Sequence, residues 1–563
     1  MEIGRKLRLE VYGESHAPLI GMRLEGLPSG IAVDIQSLQS FMERRAPGRD
    51  KFSTSRREPD IPEFTGGLKN GVTTGEPLEA IIRNTDTRSG DYERSVPRPG
   101  HADFPSWVKT GRIPPGGGSN SGRMTAAMCI AGGICLQELA RRGISVNARV
   151  LSVGDVAAAK AEGDSVGGAV ECEVTGLPVG LGGSMFDGID GAIAHVVFGI
   201  PGVKGIEFGN GFASCGLKGS ENNDPFTIKD GNVVTLTNNH GGVLGGMTSG
   251  MTLVFRVALK PTPSIYKNQK SVDLKTMEPV EFQVRGRHDP CIAMRAVPVV
   301  EALTAFAILD AILADEAERP RICLTLTGKT LVEDIAQFKS QRYFADMVEL
   351  RVDLLKKSER AKVGEFPKML AKAVHWKVPL ILTFRRSIDG GAFEGKEEER
   401  LRFFEKLLST FRTPSARTPR ASRASRPKLP SFDFIDLEEG FGGADLLNLA
   451  HSSGLKVVRS IHKFDGPVKN IKAKLRALAN EGDIAKIAFM PRTPRDVNRL
   501  LSTVPCSLSP VPYVVIAMGE LGLSTRINAA RFGSKWTYAS VGGLAKLGHL
   551  SPYELVKRMN GHD

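Results

Sequence analysis

The chain has 563 residues, 41% of them hydrophobic and 24% charged, with a formal net charge of +13. That length exceeds what one hydrophobic core serves, so two or more domains of ordinary globular composition are expected. No run of 18 apolar residues marks a membrane span, and the start MEIGRKLRLEVYGESH lacks the apolar core of a secretory leader. The seven cysteines form no C-x-x-C pair. This argues against a disulfide framework or a metal site and fits a reducing cytoplasm.

In chain order, residues 1–318 read as short strands broken by glycine-rich turns. GESHAPLIG (13–21) puts His16 in one turn and RPGHADF (98–104) puts His101 in another; GGGSNSG (116–122), GNGF (209–212) and NNHGGVLGGMTSG (238–250) follow. Between them RRAPGRDKFSTSRR (44–57) is strongly basic, and KPTPSI (260–265) and GRHDPC (286–291) add Lys260, Arg287 and Asp289. Glycines let backbone N–H groups approach a phosphate, and clustered arginines suit a substrate with several carboxylates or phosphates. Any one such loop is more simply a turn than a site. From Met294 to Glu318 the pattern becomes helical and apolar almost all round, which predicts a largely buried helix ending at Arg319-Pro320.

After Pro320, apolar strands alternate with helical stretches: ICLTLT (322–327), MVELRVDLL (347–355), PLILTFR (379–385), FDFIDLEE (432–439), KVVRSIH (456–462), IAKIAFM (484–490), YVVIAMG (513–519) and WTYASV (536–541). Eight such units in about 240 residues predict a (β/α)8 barrel, with almost no linker before it. A segment at 410–430 carries five Arg, one Lys and no acid. It reads as a solvated, mobile loop on the barrel face away from the strand C-termini; neither nucleic acid nor a membrane is expected as its partner.

Within MVELRVDLL, Val348, Leu350 and Val352 share one face and Glu349, Arg351 and Asp353 the other, so the charged face points into the barrel. An internal ion-pair network and a polar site fit this strand equally well. Other strands tip the balance. Arg385 ends the third, His462 ends the fifth, and Lys486 sits inside the sixth with Ile484 and Ala488 on its face. Enclosure is expected to favour the neutral amine of Lys486 and make it a nucleophile. Lysine, histidine, Glu349 and arginine at one mouth outline a Schiff-base site with His462 moving protons.

At this point the second half resembles type I 3-dehydroquinate dehydratase. LTGKT (326–330), ELRVD (349–353), LTFR (382–385), SIHKF (460–464) and AKIAFMP (485–491) occur in order. The resemblance implies Lys486 as Schiff-base former and His462 as catalytic histidine. It implies Glu349, Arg351, Arg385 and Arg526 as substrate holders. Asp389 stands where the family has Glu, and His549 falls in an altered closing loop, Ala545-Lys546-Leu547-Gly548-His549. No cofactor is implied for this half.

Residues 1–318 resemble chorismate synthase. Besides the motifs above, RNTDTRSGDY (83–92), VKGIEFGNGF (203–212), GSENND (219–224) and RAVPVVEA (295–302) carry the likeness. The resemblance implies a β-α-β sandwich and a 1,4-elimination of phosphate from 5-enolpyruvylshikimate-3-phosphate with reduced FMN, for which NADPH is a candidate reductant. It implies His16, His101 and Asp289 as proton-handling residues, and Arg44, Arg45, Lys51 and Arg123 as anion holders. FMN would lie against Lys260, Pro261, Thr262, Pro263, Ser264 and Arg287, with Ser119, Asn120, Ser121, Gly202 and Gly245. Ala17, Ser119, Asn120, Met124 and Lys51 depart from the usual pattern.

The expected arrangement is therefore an α+β sandwich domain over 1–319 followed by a TIM-barrel domain over 320–563. The expected function is that of a bifunctional shikimate-pathway enzyme acting on small anionic metabolites, cytoplasmic and homotetrameric. The alternative is a live synthase carrying a barrel that serves only as a scaffold or binding domain.

Overall fold

The computed structural model describes residues 1–46, 58–86, 95–284, 289–373, 377–411, 431–503, 512–542, 544 and 547–560. Lys51, Arg287, Ala545, Lys546 and 412–430 of the basic segment lie outside the described residues. The chain divides into two compact units: Met1–Lys229 with Val233–Asp315, and Glu316–Asp563 with Asp230–Asn232.

In the first unit, strands Glu2–Ile3 (β1), Arg8–Gly13 (β2), Leu19–Glu25 (β3), Glu63–Gly66 (β4) and Leu78–Arg83 (β5) form an antiparallel sheet in the order β1-β2-β3-β5-β4. Alternation sets one face: Leu9 and Val11, Ile20, Met22 and Leu24, and Leu78, Ala80 and Ile82 are all buried. Strands Ser145–Val153 (β6), Gly168–Thr175 (β7), Val203–Phe208 (β8) and Leu253–Leu259 (β9) form a second sheet, β8-β9-β7-β6, which buries Val170, Cys172, Val174, Leu253, Phe255 and Val257. Helices Ile35–Arg45 (α1), Thr125–Arg141 (α2) and Ala293–Glu318 (α3) complete the unit. Residues of both sheets and all three helices share one apolar cluster, which makes the unit a β-α-β sandwich.

Helix α3 is apolar and long enough to cross a membrane by length and composition alone. It is instead the core helix of this unit, with 83% of its most apolar window buried. Its few acids are committed to the protein. Asp310 accepts the backbone N–H groups of Arg5, Lys6 and Leu7 at 2.8, 2.7 and 2.7 Å, and Glu301 accepts that of Ala148 at 2.9 Å. Helix α2 approaches α3 so closely that a Cβ on Gly132 would stand 2.4 Å from Ala302 Cα.

The second unit is the barrel. Strands Arg321–Leu326 (β10), Met347–Arg351 (β11), Leu380–Thr383 (β12), Phe434–Glu438 (β13), Lys456–Lys463 (β14), Ile484–Phe489 (β15), Tyr513–Ala517 (β16) and Trp536–Ser540 (β17) pair in parallel. The order is β16-β15-β14-β13-β12-β11-β10-β17. Between the two end strands, Lys535 N donates to Tyr513 O at 2.9 Å and Val515 N to Ser534 Oγ at 3.1 Å. The alternation of β15 sorts its side chains. Ala485, Ile487 and Phe489 pack outward with Leu475, Leu478, Val497 and Leu500 of the helices. Ile484 and Ala488 pack inward with Cys323, Val458, Val514 and Tyr538. Lys486, between them, therefore points inward.

The α2–α3 approach gives a direct test. Gly132→Val should lower stability by about 1–3 kcal/mol through overpacking against Ala302. Differential scanning calorimetry should show one unfolding transition moved down; an unmoved thermogram would mean that the helices part without cost.

Candidate active sites

In the first unit, a cavity of about 540 Å³ opens beside the turns that carry His16 and His101. Gly116, Gly117 and Gly118 take φ values of +59°, +86° and +55°, a left-handed path that side chains resist. The path brings backbone onto both rings. A Cβ on Gly116 would lie 2.5 Å from His16 Nε2, and one on Gly117 would lie 3.1 Å from His101 Nε2. The glycine run is thus a requirement of close approach and not merely a turn.

His101 has partners that the sequence did not single out. Its Nδ1 lies 2.7 Å from Asp103 Oδ1, and Arg98 clamps the same carboxylate at 2.7 and 2.9 Å. Burial lowers the His101 pKa, with Arg98 and Lys260 acting the same way and Asp103 pulling against them. Burial opposes the charge of Asp103, but Arg98 and His101 hold its pKa well below the ordinary range. The ring is then a neutral imidazole with Nδ1–H on Asp103 and Nε2 towards the glycine loop.

Arg45 and Arg123 both line the cavity and converge on buried Asp60. Arg45 reaches Asp60 Oδ2 at 2.8 Å, Thr125 Oγ1 at 3.0 Å and Gly122 O at 2.7 Å. Arg123 bonds the other Asp60 oxygen and reaches Asn84 Oδ1 at 2.9 Å. Burial works against the Asp60 carboxylate, yet the two guanidinium groups lower its pKa. Asp289 pairs with Arg295 at 2.6 Å, and Lys260 Nζ donates to Gly100 O at 2.5 Å. Ser264 Oγ accepts from Arg98 at 3.1 Å. Ser119, Asn120, Ser121, Gly202, Thr262 and Pro263 also line the cavity. Thr262 Oγ1 is buried with no hydrogen-bond partner among the described residues.

Three expected members are not brought there. Arg44 turns away to Glu301, at 2.6 and 3.1 Å. Gly245 sits at φ +59° in the turn joining Val243–Leu244 to Met247–Thr248, outside the cavity lining, and Pro261 is exposed beside it.

In the barrel, neighbouring strands place charged groups around Lys486. Its Nζ donates to Asp436 Oδ2 at 2.8 Å, lies 3.9 Å from Glu349 Oε1, and sits 4.3 Å from the centroid of the Tyr538 ring. Enclosure alone therefore misdescribes this lysine, because a carboxylate accompanies it into the interior. Asp436 also accepts Ser460 Oγ at 2.5 Å and faces Arg385 Nη2 at 3.0 Å. Glu349 accepts Thr325 Oγ1 at 2.9 Å and Thr383 Oγ1 at 2.8 Å. Arg385 contacts His462 Nε2. Arg351 is bidentate to Asp353 at 2.9 and 2.7 Å.

Arg526 is buried and gives its donors to the carbonyls of Tyr538 and Leu547 at 2.9 and 2.8 Å. Burial lowers its pKa to about 10. A buried guanidinium bonded, among the described residues, only to neutral carbonyls suits an incoming carboxylate. His549 faces Arg526, Arg351 and Lys486, and burial holds its pKa well below the usual histidine value. Asp389 does not join the cluster. It pairs with Arg386 at 2.6 Å, three residues back in the same turn. Asp436 is the member that sequence reasoning missed, although its place in FDFIDLEE, on the inward face of a strand, is a signal of the same kind as Glu349.

Two anion-ready centres, one with paired histidines over a glycine cradle and one with a barrel lysine, define an enzyme acting on small acids. The comparisons say which. The family model for chorismate synthase matches residues 7–160 and 154–313, and that for type I 3-dehydroquinase matches 322–560. Curated chorismate synthases from Thermococcus kodakarensis and Korarchaeum cryptofilum are 45% and 41% identical over 348 residues each. They align with 56% and 55% of this chain and 98% and 96% of their own. A solved type I 3-dehydroquinate dehydratase from Clostridium difficile is 26% identical, over 43% of this chain and 92% of that one, with a TM-score of 0.37. The chain belongs to the chorismate synthase family, and it carries a type I 3-dehydroquinase as its barrel. Two lyases of the shikimate pathway are thus joined in one polypeptide, and the scaffold-only barrel is not favoured.

Burial, Arg385 and Lys486 all disfavour an imidazolium at His462, against Asp436, and hold its pKa well below the ordinary value. His462 should therefore remain neutral at pH 6, in position to accept a proton. Carbon-13 NMR of histidine-labelled protein, assigned by His462→Asn, should show no titration of this ring between pH 8 and pH 6. A midpoint near the ordinary histidine value would refute the geometry around it.

Proposed function

We propose that the first-unit cavity binds 5-enolpyruvylshikimate-3-phosphate together with reduced FMN, and that the barrel dehydrates 3-dehydroquinate to 3-dehydroshikimate through Lys486. The observation that carries the first assignment is the glycine cradle closing on His16 and His101 beside a cavity of about 540 Å³. Thr262 Oγ1, without a partner among the described residues, and the amine of Lys260 on the same wall fit a polar, phosphate-bearing cofactor. Lys260, Thr262, Ser264 and the backbone near Ser119–Ser121 and Gly202 would hold FMN. A reduced flavin held by these residues would supply electron density that eases loss of phosphate next to a weakly acidic C–H.

The protein's own part is proton and charge management. Neutral His101, with Nδ1–H fixed by Asp103, turns its other nitrogen to the glycine loop. An arriving phosphate raises the basicity of that nitrogen, so the ring takes up a proton and can pass it to the departing group. Asp289 is the candidate acceptor for the substrate proton, and His16 the residue beside the flavin. Arg45 and Arg123, oriented by Asp60, present an electropositive wall to the anion.

In the barrel, the amine of Lys486 adds to the ketone and expels water as the iminium forms, which acidifies the neighbouring C–H. Neutral His462 removes that proton and returns it to the leaving hydroxyl. Arg526, Arg385 and His549 supply donors for the substrate's carboxylate and hydroxyls. NADPH is the candidate reductant for the flavin. The proposed assembly is a homotetramer, and bare apolar side chains on the first unit, among them Phe186 and Phe212 at 100% and 81% exposure, are candidates for contacts between copies. The six described cysteines are all free thiols, in keeping with a cytoplasmic enzyme.

The two activities should separate by mutation. Lys486→Ala should abolish dehydration and the ligand mass trapped by borohydride, yet form chorismate normally in an anaerobic assay with dithionite-reduced FMN. His101→Ala should show the converse, with chorismate formation down by about 10²–10⁴-fold. Replacing dithionite by NADPH tests the reductant. An unchanged adduct in Lys486→Ala, or unimpaired synthesis in His101→Ala, would remove the corresponding assignment.

A further inference from the structure

Resting on the reading that Lys486 forms the Schiff base, we infer that Asp436 is a third catalytic residue of the barrel. It serves as counter-ion to the Lys486 nitrogen, as ammonium before imine formation and as iminium after it. Asp436 lies inward on β13, beside β14, which carries Ser460, and two strands from Lys486 on β15. One carboxylate oxygen accepts Ser460 Oγ at 2.5 Å; the other meets Lys486 Nζ at 2.8 Å and Arg385 Nη2 at 3.0 Å. Among the described residues it is the carboxylate in hydrogen-bond contact with that nitrogen. Glu349 is 3.9 Å away and engaged by Thr325 and Thr383, and Asp389 is held by Arg386, which also binds Glu397 at 2.9 Å.

The charge count explains why a fixed carboxylate suits this position. An ammonium and a ketone give an iminium and water. The N–C bond forms, the C–O bond breaks, two N–H hydrogens leave with the oxygen, and the charge on nitrogen is positive at both ends. A carboxylate held by Ser460 and Arg385 therefore faces the same charge in reactant and product and needs no reorganisation. In between, the amine must shed a proton to attack, and Asp436 and His462 are the adjacent acceptors. Other groups facing this centre are Glu349 from β11, Cys323 from β10, Tyr538 from β17, and Arg351 and His549 near the mouth. Burial opposes the Asp436 charge, but Lys486 and Arg385 prevail and hold it ionised.

The test compares wild type, Asp436→Asn and Ser460→Ala in the full-length protein. Each is incubated with 3-dehydroquinate and borohydride across pH, with the Lys486 adduct followed by mass spectrometry beside steady-state dehydration. An adduct on wild type at Lys486 upholds the underlying reading, and its absence defeats that reading alone. Given that adduct, Asp436→Asn should lower kcat about a hundredfold. Its trapping rate should rise with pH at a midpoint about one unit or more below that of wild type, because the ammonium has lost its counter-ion. A merely structural aspartate would cut activity without moving that midpoint, and an unmoved midpoint overturns the proposal. If Asp436→Asn does not fold, Ser460→Ala decides, because it frees one carboxylate oxygen and leaves every charge in place. Slower dehydration with unchanged KM supports the role, and wild-type kcat overturns it.

Discussion

A lysine inside a barrel must arrive with its counter-charge, and much of the second unit follows from that constraint. Removing one partner of a buried ion pair costs about 3–5 kcal/mol, so Lys486 and Asp436 have to be placed together. Parallel pairing does this. Asp436, Ser460 and Lys486 fall on three consecutive strands with inward-facing side chains, and Arg385 follows the strand before them. Glu349 belongs to the same electrostatic arrangement one step further away, its oxygens spoken for by two threonine hydroxyls. Most outward residues of those strands are apolar and belong to the helix-facing core, with buried Arg459 of β14 an exception that donates to the carbonyls of Glu438 and Phe441 at 3.0 and 2.8 Å. The Lys486 cluster itself lies in the interior, where a barrel places its chemistry.

The first unit meets a different constraint, the approach of backbone to two imidazole rings. Three consecutive left-handed glycines take up a path that any Cβ would obstruct, and the sandwich below supplies the rigid base. Helix α2 begins at Thr125, directly after this loop, and packs on α3 through Gly132. Close packing in the core and close approach at the site are therefore linked through one helix. The acids around the site follow the same economy. Asp103 orients His101 while Arg98 keeps it charged, and Asp60 aligns two arginines that would otherwise repel each other.

Architecture was legible because period and punctuation agree along the chain. The eight apolar segments coincide with β10–β17 to within one or two residues at most ends, and the apolar stretch 294–318 is α3. Site membership was legible where an unusual residue interrupts an apolar pattern, as Lys486 does, or where glycines surround a histidine, as at His16 and His101. It failed where position along the chain stood in for position in space. Arg44 and Arg45 are adjacent, yet a helix turns successive side chains by about 100°, so one reaches Asp60 and the other Glu301. Asp389 has the right chemistry, but a neighbouring arginine three residues back captures it. Asp436 and Asp103 went unnoticed because an acid in a strand or a helix's first turn carries no local sign of what it will face. Partners chosen by tertiary proximity are the part of a site that a single sequence conceals.

The two centres use histidine in the same electrostatic way. His101 and His462 are both held neutral by burial and nearby arginines, and each has a carboxylate within its field. An imidazole so placed has little charge of its own, which leaves the surrounding arginines to set the potential felt by an anionic substrate. Binding of the anion then supplies the negative charge that makes protonation favourable, so the proton is recruited when the substrate is present. Each centre draws its side chains from one unit of the chain, and the two reactions are not consecutive, so neither centre needs the other's product. Joining them enforces equal amounts of two activities that share a pathway, and each site keeps its own acid, base and anion holders.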